Sequence, residues 1–255
     1  MNPDVIIHLA AISSIRDSLE KPFSIVETNT IGTMNVIHST LELPNFKDKR
    51  ILYASSGAIY GRQKIQPITE DTVPDLRNPY VISKAVTENY LKVMNNVYKL
   101  NYIAMRPTNT YGRKLDKSLF VEYLVTNMLT DNTIYVGAIE DIRDYLYVDD
   151  HVDAYVKALE RPEVNNEAFN LGTGIGISNK ELAFKIADMI GFDRSKILLN
   201  QYPPGFPFRP GEVDQPILTL DSTKIQRLLG WKARVKLDDG IRKTIDFWKQ
   251  KLART

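Results

Sequence analysis

The sequence predicts an α/β protein built on a parallel sheet, and three observations support this prediction. Short apolar segments alternate with longer helical segments along the chain, which is the order of parallel strands joined by helical crossovers. The apolar segments are continuous, as expected of strands that are covered on both faces. Hydrophobic residues make up 43% of the 255 residues, so the chain can bury a sizeable core.

The first half of the chain shows strand and helix segments in alternation. The opening segment is apolar and runs into small residues, and two further apolar segments follow it. Pro79 stands where the first turn of a helix tolerates proline. The predicted elements are strands over 4–11, 50–55 and 102–106, and helices over about 23–43 and 79–100.

The second half is less regular, and its clearest signal is a helix start. Ser178 and Glu181 have the spacing of a capping box, and Gly191 is placed to end the helix that the box opens. The segment 202–216 contains five prolines and two glycines, which predicts a loop able to close over a ligand. The remaining predictions are a strand near 168–171 and helices over about 118–129, from 149–150 onward, over 221–229 and over 238–252.

Charge and composition exclude several classes of function. Lysine and arginine number 33 against 31 aspartate and glutamate, and the net charge of +2 indicates no nucleic-acid or acidic-membrane partner. The chain has no cysteine, hence no disulfide and no thiolate site, and its three histidines match no zinc motif. No apolar run is long enough to span a bilayer, and no signal-peptide pattern is present. We therefore expect a cytoplasmic protein that holds no metal.

Two tyrosines precede a lysine by four residues, and only one pair is predicted to share a helix face. Tyr80 and Lys84 lie inside the second predicted helix, where this spacing brings their side chains together. A neighbouring ammonium favours the phenolate and so lowers the pKa of a tyrosine, which makes Tyr80 a candidate proton carrier. Gly61 follows Tyr60 at once, so the pair of Tyr60 and Lys64 is predicted to lie in a loop.

Five short motifs occur in one order along the chain. One of them contains Ser55 and Ser56 at the carboxyl edge of a predicted strand, where open α/β sheets bind their ligands. The motifs span residues 4–11, 54–61, 78–84, 106–112 and 143–145. Together they resemble the extended short-chain dehydrogenase/reductase family, and within it the NAD-dependent epimerase/dehydratase branch that acts on nucleotide sugars. The resemblance continues through 169–172 and 209–212 to 229–231.

The resemblance implies a Rossmann-type cofactor domain with three catalytic residues. Tyr80 would be the catalytic acid and base, Lys84 would lower its pKa and hold the nicotinamide ribose, and Ser56 would hydrogen-bond the reacting sugar hydroxyl. Asn29 would occupy the family's structural asparagine position behind the active site. NAD is the expected cofactor, with NADP as the alternative, and the residues expected to contact it are His8, Leu9, Ala10, Ala11, Ala54, Tyr80, Lys84 and Pro107.

The implied substrate is a nucleotide-diphosphate sugar, held mainly by residues of the second half. Arg143 and Arg209 would grip its diphosphate, which Asn109 would also contact. Glu212 would bind the nucleoside ribose. Arginine suits a diphosphate because its planar guanidinium offers several hydrogen-bond donors. Taken without the resemblance, Arg143 is equally consistent with a surface ion pair to Asp144, and Arg209 with an exposed loop charge.

Within this family the residues favour a UDP-glucose 4-epimerase-like activity, which interconverts hydroxyl configuration through a keto sugar. Dehydratases of the branch carry an acidic residue just after the catalytic serine or threonine, and here these positions are Gly57 and Ala58. The run 209–214 is nevertheless similar to a loop of GDP-mannose dehydratases and GDP-sugar reductases. The alternatives are therefore a GDP- or dTDP-sugar 4,6-dehydratase or keto-sugar reductase and, in another class, a non-catalytic nucleotide-sugar-binding or partner-binding module.

The sequence departs from the family pattern at its start. Family members open with a strand and a glycine-rich turn that holds the cofactor pyrophosphate, whereas this sequence opens at the strand that is normally fourth. The expected fold is therefore an α/β, Rossmann-type parallel sheet truncated at its N-terminus, with a smaller C-terminal α/β substrate domain. Residues 1–112 would form the cofactor domain and 113–255 mainly the substrate domain, with about 140–172 returning to the first sheet.

The departure also predicts properties of the surface. Without the opening segment, NAD binding would be weakened or lost, and an apolar edge and face of the sheet would be exposed, which favours instability or association. By analogy with the family, the helices at about 23–43 and 80–100 would pair with a second subunit as a four-helix bundle. We therefore expect a homodimer.

Overall fold

The computed structural model describes residues 2–112, 116–205 and 215–254 of the chain. Its strands are β1 (Val5–His8), β2 (Arg50–Ala54), β3 (Asn101–Pro107), β4 (Asn109–Tyr111), β5 (Ile134–Val136), β6 (Ile142–Tyr147), β7 (Glu167–Leu171), β8 (Gly176–Ser178), β9 (Ile197–Leu199) and β10 (Ile217–Leu218). Its α-helices are α1 (Ile15–Glu20), α2 (Pro22–Ile25), α3 (Gly32–Leu41), α4 (Pro79–Tyr98), α5 (Phe120–Leu129), α6 (Val148–Leu159), α7 (Asn179–Ile190), α8 (Thr223–Leu229) and α9 (Leu237–Leu252). The predicted α/β fold class is confirmed.

Four parallel strands form the main sheet in the order β1, β2, β3, β7. The register pairs Val5 with Arg50 and Ala54 with Met105, so the carboxyl ends of neighbouring strands lie along one edge. β7 comes from the second half of the chain and pairs with β3. The sheet is of the Rossmann type, as the sequence predicts.

Helices cover both faces of this sheet because alternate strand residues point to opposite sides. Ile51 and Tyr53 of β2 belong to one buried cluster with Ile37 of α3 and Leu91 of α4. Leu52 belongs to a second cluster, which includes residues of α6 and α8. β2 is therefore buried on both faces, which explains why its sequence is continuously apolar.

The second, smaller α/β part is built from shorter strands. β6 pairs in parallel with β4 and β10 and antiparallel with β8, while β5 pairs with β9. Helices α5, α7 and α9 surround one apolar cluster whose buried residues include Leu124, Ile186 and Trp248. The boundary expected after residue 112, between a cofactor domain and a substrate domain, stays a prediction.

The helical stretch predicted over about 23–43 is present, but it is not one uniform α-helix. The structure instead forms α2, a π-helix over Val26–Ile31 and then α3. Wider turns of this kind are frequent at functional sites. The π-helix carries Asn29, whose side chain bonds the backbone N–H and C=O of Ile12 at 2.8 and 2.9 Å. These bonds reach a loop 17 positions away, so hydrophobic periodicity carries no signal for them.

The other helix signals are confirmed with small shifts of their ends. α4 begins at Pro79, after an N-cap formed by the Asn78 side chain. Ser178 and Glu181 form the predicted capping box, and Gly191 ends α7 in the left-handed conformation. The sequence patterns predict neither α1 nor the strands of the second part, most of which have only two or three residues and carry too little periodicity. Residues 206–214 of the predicted loop lie outside the described residues.

Apolar side chains are exposed in and just after β1, which is an edge strand of the four-stranded sheet. Ile7 is 43% exposed and Leu9 61%. On α6, Val152, Val156 and Leu159 are also exposed, at 56%, 43% and 40%. Apolar side chains at this edge and on α6 are therefore open to solvent. No helix within residues 2–112, 116–205 and 215–254 is long and apolar enough to cross a membrane.

Candidate active site

The carboxyl ends of β1, β2 and β3 lie along one edge of the main sheet, and α4 passes close to it. His8, Ala54 and Pro107 are the last residues of these strands. The Lys84 Nζ atom donates a hydrogen bond of 2.6 Å to the Ala54 carbonyl oxygen, and Tyr80 lies one turn earlier on the same helix. The structure thus brings the predicted pair to the edge where open α/β sheets bind ligands.

Lys84 is almost fully buried, and this burial changes the acidity of its ammonium group. The Nζ atom lies 5.0 Å from the centre of the Tyr53 ring and 5.9 Å from the centre of the Tyr80 ring. Burial lowers the pKa of Lys84 to about 8, and the charge of Glu88 opposes this shift. The group is therefore mainly charged at pH 7, where it acts electrostatically on the neighbouring Tyr80 phenol.

Hydrogen bonds fix the first turn of α4, which carries Tyr80. The Ser83 hydroxyl donates to the Tyr80 carbonyl oxygen at 2.7 Å, and the Asn29 amide donates to the Ser83 hydroxyl at 3.2 Å. The Asn29 side chain also bonds Ile12 in the loop after β1. Asn29 therefore connects that loop to the Tyr80 turn, which is compatible with the structural position that the resemblance implies.

The two serines after β2 have different surroundings. The Ser55 side chain is buried and donates a hydrogen bond to Glu88. The Ser56 hydroxyl accepts a hydrogen bond of 3.2 Å from the Ala58 N–H and so caps the 3-10 helix Gly57–Tyr60. Ser56 is partly exposed, and it is therefore the serine of the two that a ligand can reach.

The competing pair of Tyr60 and Lys64 has no comparable geometry. The buried Tyr60 hydroxyl accepts a hydrogen bond from Arg106 at 2.7 Å and donates one to Asn170 at 2.7 Å. Burial raises the pKa of Tyr60 to about 12, and the Arg106 charge opposes the shift without cancelling it. Lys64 is exposed and belongs to no helix. Tyr60 is thus part of the buried structure and not part of a tyrosine–lysine site.

The residues predicted to line the cofactor lie at the end of β1 and just after it. His8 forms a hydrogen bond of 2.9 Å with the Thr33 hydroxyl, and its ring stacks on that of Tyr53 with centres 6.2 Å apart. Burial and, less strongly, the charge of Lys84 lower the pKa of His8. The following three residues are exposed or partly exposed, so that a ligand can contact them: Leu9, Ala10 and Ala11.

The predicted substrate residues are divided between the second part and the undescribed loop. Asn109 begins β4 and is exposed. Arg143 lies on the neighbouring β6, where its guanidinium donates to Asp141 at 2.9 Å and to two backbone carbonyls at 3.0 and 3.3 Å. Arg209 and Glu212 lie outside the described residues.

Asp144 is not the ion-pair partner of Arg143, so that alternative is wrong. Asp144 is fully buried, and its carboxylate accepts backbone hydrogen bonds from Thr173 and Gly174 at 3.0 Å. Burial, the larger effect, raises the pKa of Asp144, and these hydrogen bonds oppose the shift. Asp144 therefore ties β6 to the loop after β7, while Arg143 pairs with Asp141.

Sequence reasoning missed a buried ion pair beside Tyr80 and Lys84. Arg106 contacts the Glu88 carboxylate through its Nε and Nη2 atoms, with a shortest N···O distance of 2.5 Å, and both side chains are 11% exposed. One signal was present, since Glu88 follows Lys84 by four residues and so shares its helix face. Nothing in the sequence identifies Arg106 as the partner.

The fold and the site together define a class of protein, the Rossmann-type enzymes with a tyrosine–lysine pair on a helix beside the sheet edge. A family model described as GDP-mannose 4,6 dehydratase matches residues 1–244. The chain belongs to this family, in the NAD-dependent epimerase/dehydratase branch of the extended short-chain dehydrogenases/reductases.

Individual relatives include both epimerases and dehydratases. The UDP-glucose 4-epimerase of Mycolicibacterium smegmatis is 32% identical over 256 residues, which cover 98% of this chain and 77% of the relative. The structure of UDP-glucose 4-epimerase from Thermotoga maritima with UDP-glucose matches with a TM-score of 0.86 at 32% identity, covering 98% and 78% of the two chains. The NAD-bound dTDP-glucose 4,6-dehydratase of Streptomyces venezuelae matches with a TM-score of 0.88 at 25% identity, covering 98% and 74%.

Proposed function

We propose that this chain is a nucleotide-sugar epimerase of the UDP-glucose 4-epimerase type, with NAD as its cofactor. The observation that carries the proposal is the buried Lys84 ammonium, held by the Ala54 carbonyl beside the Tyr80 ring. A cation in this position supports proton transfer by a tyrosine. The substrate class follows from the relatives, since two of the three described above are UDP-glucose 4-epimerases.

Tyr80 and Ser56 handle the proton in this proposal. The Tyr80 phenolate takes the proton of the sugar 4-hydroxyl as that carbon is oxidised, and returns it when the keto sugar is reduced on its other face. Ser56 hydrogen-bonds the same hydroxyl and orients it toward Tyr80. Lys84 stabilises the phenolate by its positive charge. NAD, when bound, supplies the hydride acceptor.

The donor chemistry at the sheet edge fits the nicotinamide-ribose end of such a cofactor. An ammonium group carries several N–H donors, and that of Lys84 gives one to the Ala54 carbonyl at 2.6 Å. The remaining donors suit ribose hydroxyls, and residues 8–11 and Pro107 lie at the same strand ends. NADP is the alternative cofactor.

The space around Gly57 favours epimerisation over 4,6-dehydration. A Cβ atom at this position would lie 2.7 Å from the Leu220 Cδ1 atom and 3.1 Å from the Pro107 carbonyl oxygen. An acidic side chain, which dehydratases of the branch carry just after the catalytic serine or threonine, would therefore require the Leu220 side chain to move. Ala58 has no acidic group either. Keto-sugar reduction needs no such acid and remains the alternative activity, and nucleotide-sugar binding without turnover is the alternative class.

A turnover assay tests the proposed function. The protein is incubated with NAD and UDP-glucose, and we expect NMR to show UDP-galactose, the 4-epimer. In parallel, UDP-, GDP- and dTDP-sugars are followed by mass spectrometry. A product lighter by one water would replace the proposal with a dehydratase. Calorimetric binding of UDP-glucose without any turnover would replace it with a binding module.

We further propose a homodimer that forms through α4 and the helices preceding it. Ile82, Val86, Val93 and Val97 recur on one face of α4 and are 40% to 61% exposed, and Phe23 of α2 is 88% exposed. Apolar stripes of this size on neighbouring helices are a common mark of a protein interface. Pairing two copies through these stripes would remove their apolar surface from water.

Light scattering after size-exclusion chromatography tests the dimer. Val93→Glu places a charge in the α4 stripe and should give a monomer. Val73→Glu, the matched control, changes a valine that is 80% exposed in a loop and should leave the dimer intact. A wild-type monomer, or equal effects of the two variants, would show that the α4 stripe is not the subunit interface.

A further inference from the structure

A buried carboxylate links α4 to the strand end that carries the catalytic serine. Glu88 on α4 accepts a hydrogen bond from the Ser55 hydroxyl. Arg106 of β3 holds the same carboxylate with N···O distances of 3.0, 3.2 and 2.5 Å. Ser55 stands between Ala54 and Ser56 in the chain. The Glu88 carboxylate therefore holds the segment 54–56. In this segment the Ala54 carbonyl oxygen accepts the Lys84 hydrogen bond, and Ser56 is the proposed catalytic serine.

Glu88 also provides the negative charge that acts on Lys84, one helical turn away. The other titratable or charged groups around this carboxylate and ammonium are Tyr53 on β2, His8 on β1, Tyr80 on α4, Tyr102 and Arg106 on β3, and Tyr60 after β2. Burial raises the pKa of Tyr53 and lowers the pKa of His8, so both are neutral near pH 7. Burial lowers the pKa of Lys84, and the negative charge of Glu88 opposes this shift because it stabilises the ammonium form.

We propose that Glu88 is a positioning residue for the catalytic pair and acts in two ways. Through Ser55 it fixes the strand end that carries Ser56, and it supplies a counter-charge to the Lys84 ammonium. Arg106 holds the carboxylate in place for both. The inference rests on the proposed function, because it assigns Glu88 to the tyrosine–lysine chemistry described there. A purely structural ion pair would contribute to stability alone.

Glu88→Gln removes the charge while keeping the size of the side chain and an oxygen that can accept from Ser55. Lys84 should then lose its proton at lower pH, so the alkaline limb of kcat for UDP-glucose should move down by about one pH unit. Ser55→Ala removes the hydrogen bond and keeps the charge, and it should lower kcat severalfold without moving the limb. Glu160→Gln, which changes an exposed carboxylate after α6, should change neither.

The ionisation of Lys84 can be followed without any turnover by a stability cycle. In this cycle, the stability difference between Lys84→Met and its parent is measured across pH, once in the wild type and once in the Glu88→Gln variant. Burial of the charged ammonium costs stability, so Lys84→Met should be more stable than the wild type below about pH 8, and the difference should shrink above it. In the Glu88→Gln background the difference should begin to shrink about one pH unit lower. A failed epimerase assay would thus overturn the proposed function, whereas an unmoved stability cycle would overturn the inference.

A second variant separates electrostatics from loss of folding. Glu88→Gln leaves Arg106 buried without its counter-ion, which alone lowers stability. The double variant Glu88→Gln, Arg106→Gln removes both charges and should move the alkaline limb and the stability cycle in the same direction, but by less, because loss of the Arg106 charge favours the Lys84 ammonium. If both variants keep the wild-type limb and cycle while only the melting temperature falls, Glu88 is a structural residue. If the alkaline limb of kcat moves as far in Ser55→Ala as in Glu88→Gln, the role assigned to the Glu88 charge is overturned.

Discussion

The two tyrosine–lysine pairs have the same spacing in the sequence and different surroundings in the structure. Tyr80 and Lys84 share a face of α4 at the ligand edge of the sheet, and the ammonium lies 5.9 Å from the centre of the phenol ring. The Tyr60 hydroxyl is held by two buried partners, while Lys64 is exposed in a loop. A spacing of four residues therefore defines a pair only where a helix carries it.

Removing the Tyr80 hydroxyl should have the largest effect. Tyr80→Phe should lower kcat for UDP-glucose by about 10²–10⁴-fold, because the reaction loses its proton carrier. Calorimetry should show nearly unchanged substrate binding, because the ring remains. Tyr60→Phe is the matched control and should keep kcat close to the wild-type value. Equal losses of kcat in the two variants would mean that the wrong pair has been assigned.

Tyr60→Phe should instead reduce stability. The variant removes the buried hydrogen bonds that the Tyr60 hydroxyl makes with the Arg106 Nη1 and Asn170 Oδ1 atoms, which costs about 1–3 kcal/mol of unfolding free energy. Urea unfolding measures this difference directly. A variant as stable as the wild type would contradict the structural role assigned to the Tyr60 hydroxyl.

The lysines of the two pairs give the next contrast. Lys84→Met should lower kcat by about 100-fold and yet raise stability at pH 7 by about 2 kcal/mol. A pKa lowered from 10.5 to about 8 corresponds to about 3 kcal/mol against the buried charge. Loss of the hydrogen bond to Ala54 offsets about 1 kcal/mol of this gain. Lys64→Met changes an exposed side chain and should affect neither quantity.

The pH dependence of the lysine contrast follows from the direction of the shift. The folded-state pKa of Lys84 lies below its unfolded value, so the unfolded chain holds the proton more strongly. The cost of burying the charge is therefore complete below about pH 8 and disappears as the pH rises toward 10.5. Thermal unfolding at pH 7 and pH 10 should show the advantage of Lys84→Met at the lower pH only. A variant less stable than the wild type at pH 7 would contradict the burial cost.

The sequence predicts the helix that carries Tyr80 and Lys84, but it does not predict the contacts that this helix makes with distant parts of the chain. The helix of Tyr80 and Lys84 has its own start signals, an N-cap asparagine followed by proline at the first position. Glu88 and Arg106 are 18 positions apart and meet only because α4 packs beside β3. The π-helix that carries Asn29 likewise depends on tertiary hydrogen bonds. Spacing rules describe one element at a time, so contacts between elements escape them.

Gly61 separates the two pairs structurally and provides a smaller test. Its φ is +57°, and a Cβ atom here would lie 2.1 Å from the Asp75 carbonyl oxygen, so the backbone cannot continue as a helix toward Lys64. Gly61→Ala should cost about 2 kcal/mol of stability. Gly32→Ala is the control, since its φ is −56° and the added Cβ would lie 3.6 Å from the Glu27 carbonyl oxygen. Gly32→Ala should raise the free energy of unfolding measured in urea by up to about 1 kcal/mol. Equal changes in Gly61→Ala and Gly32→Ala would show that no steric block follows Tyr60.

The smallest predicted difference concerns which ligand the Tyr80–Lys84 edge binds more tightly. We expect UDP-glucose to bind about tenfold more tightly than NAD when each is titrated alone by calorimetry, a difference of about 1.4 kcal/mol. In the proposed function, Arg143 supplies a guanidinium to the substrate diphosphate.

Arg143→Ala distinguishes this explanation from a general preference for uridine nucleotides. Loss of the guanidinium should weaken UDP-glucose binding by about tenfold and leave NAD binding unchanged, because the two diphosphates would use different donors. Arg161→Ala removes an arginine that is paired with Glu163 at the surface and should change neither affinity. If NAD binds more tightly than UDP-glucose, the ranking is wrong. Residues around Tyr80 and Lys84 would then supply the donors of the cofactor pyrophosphate.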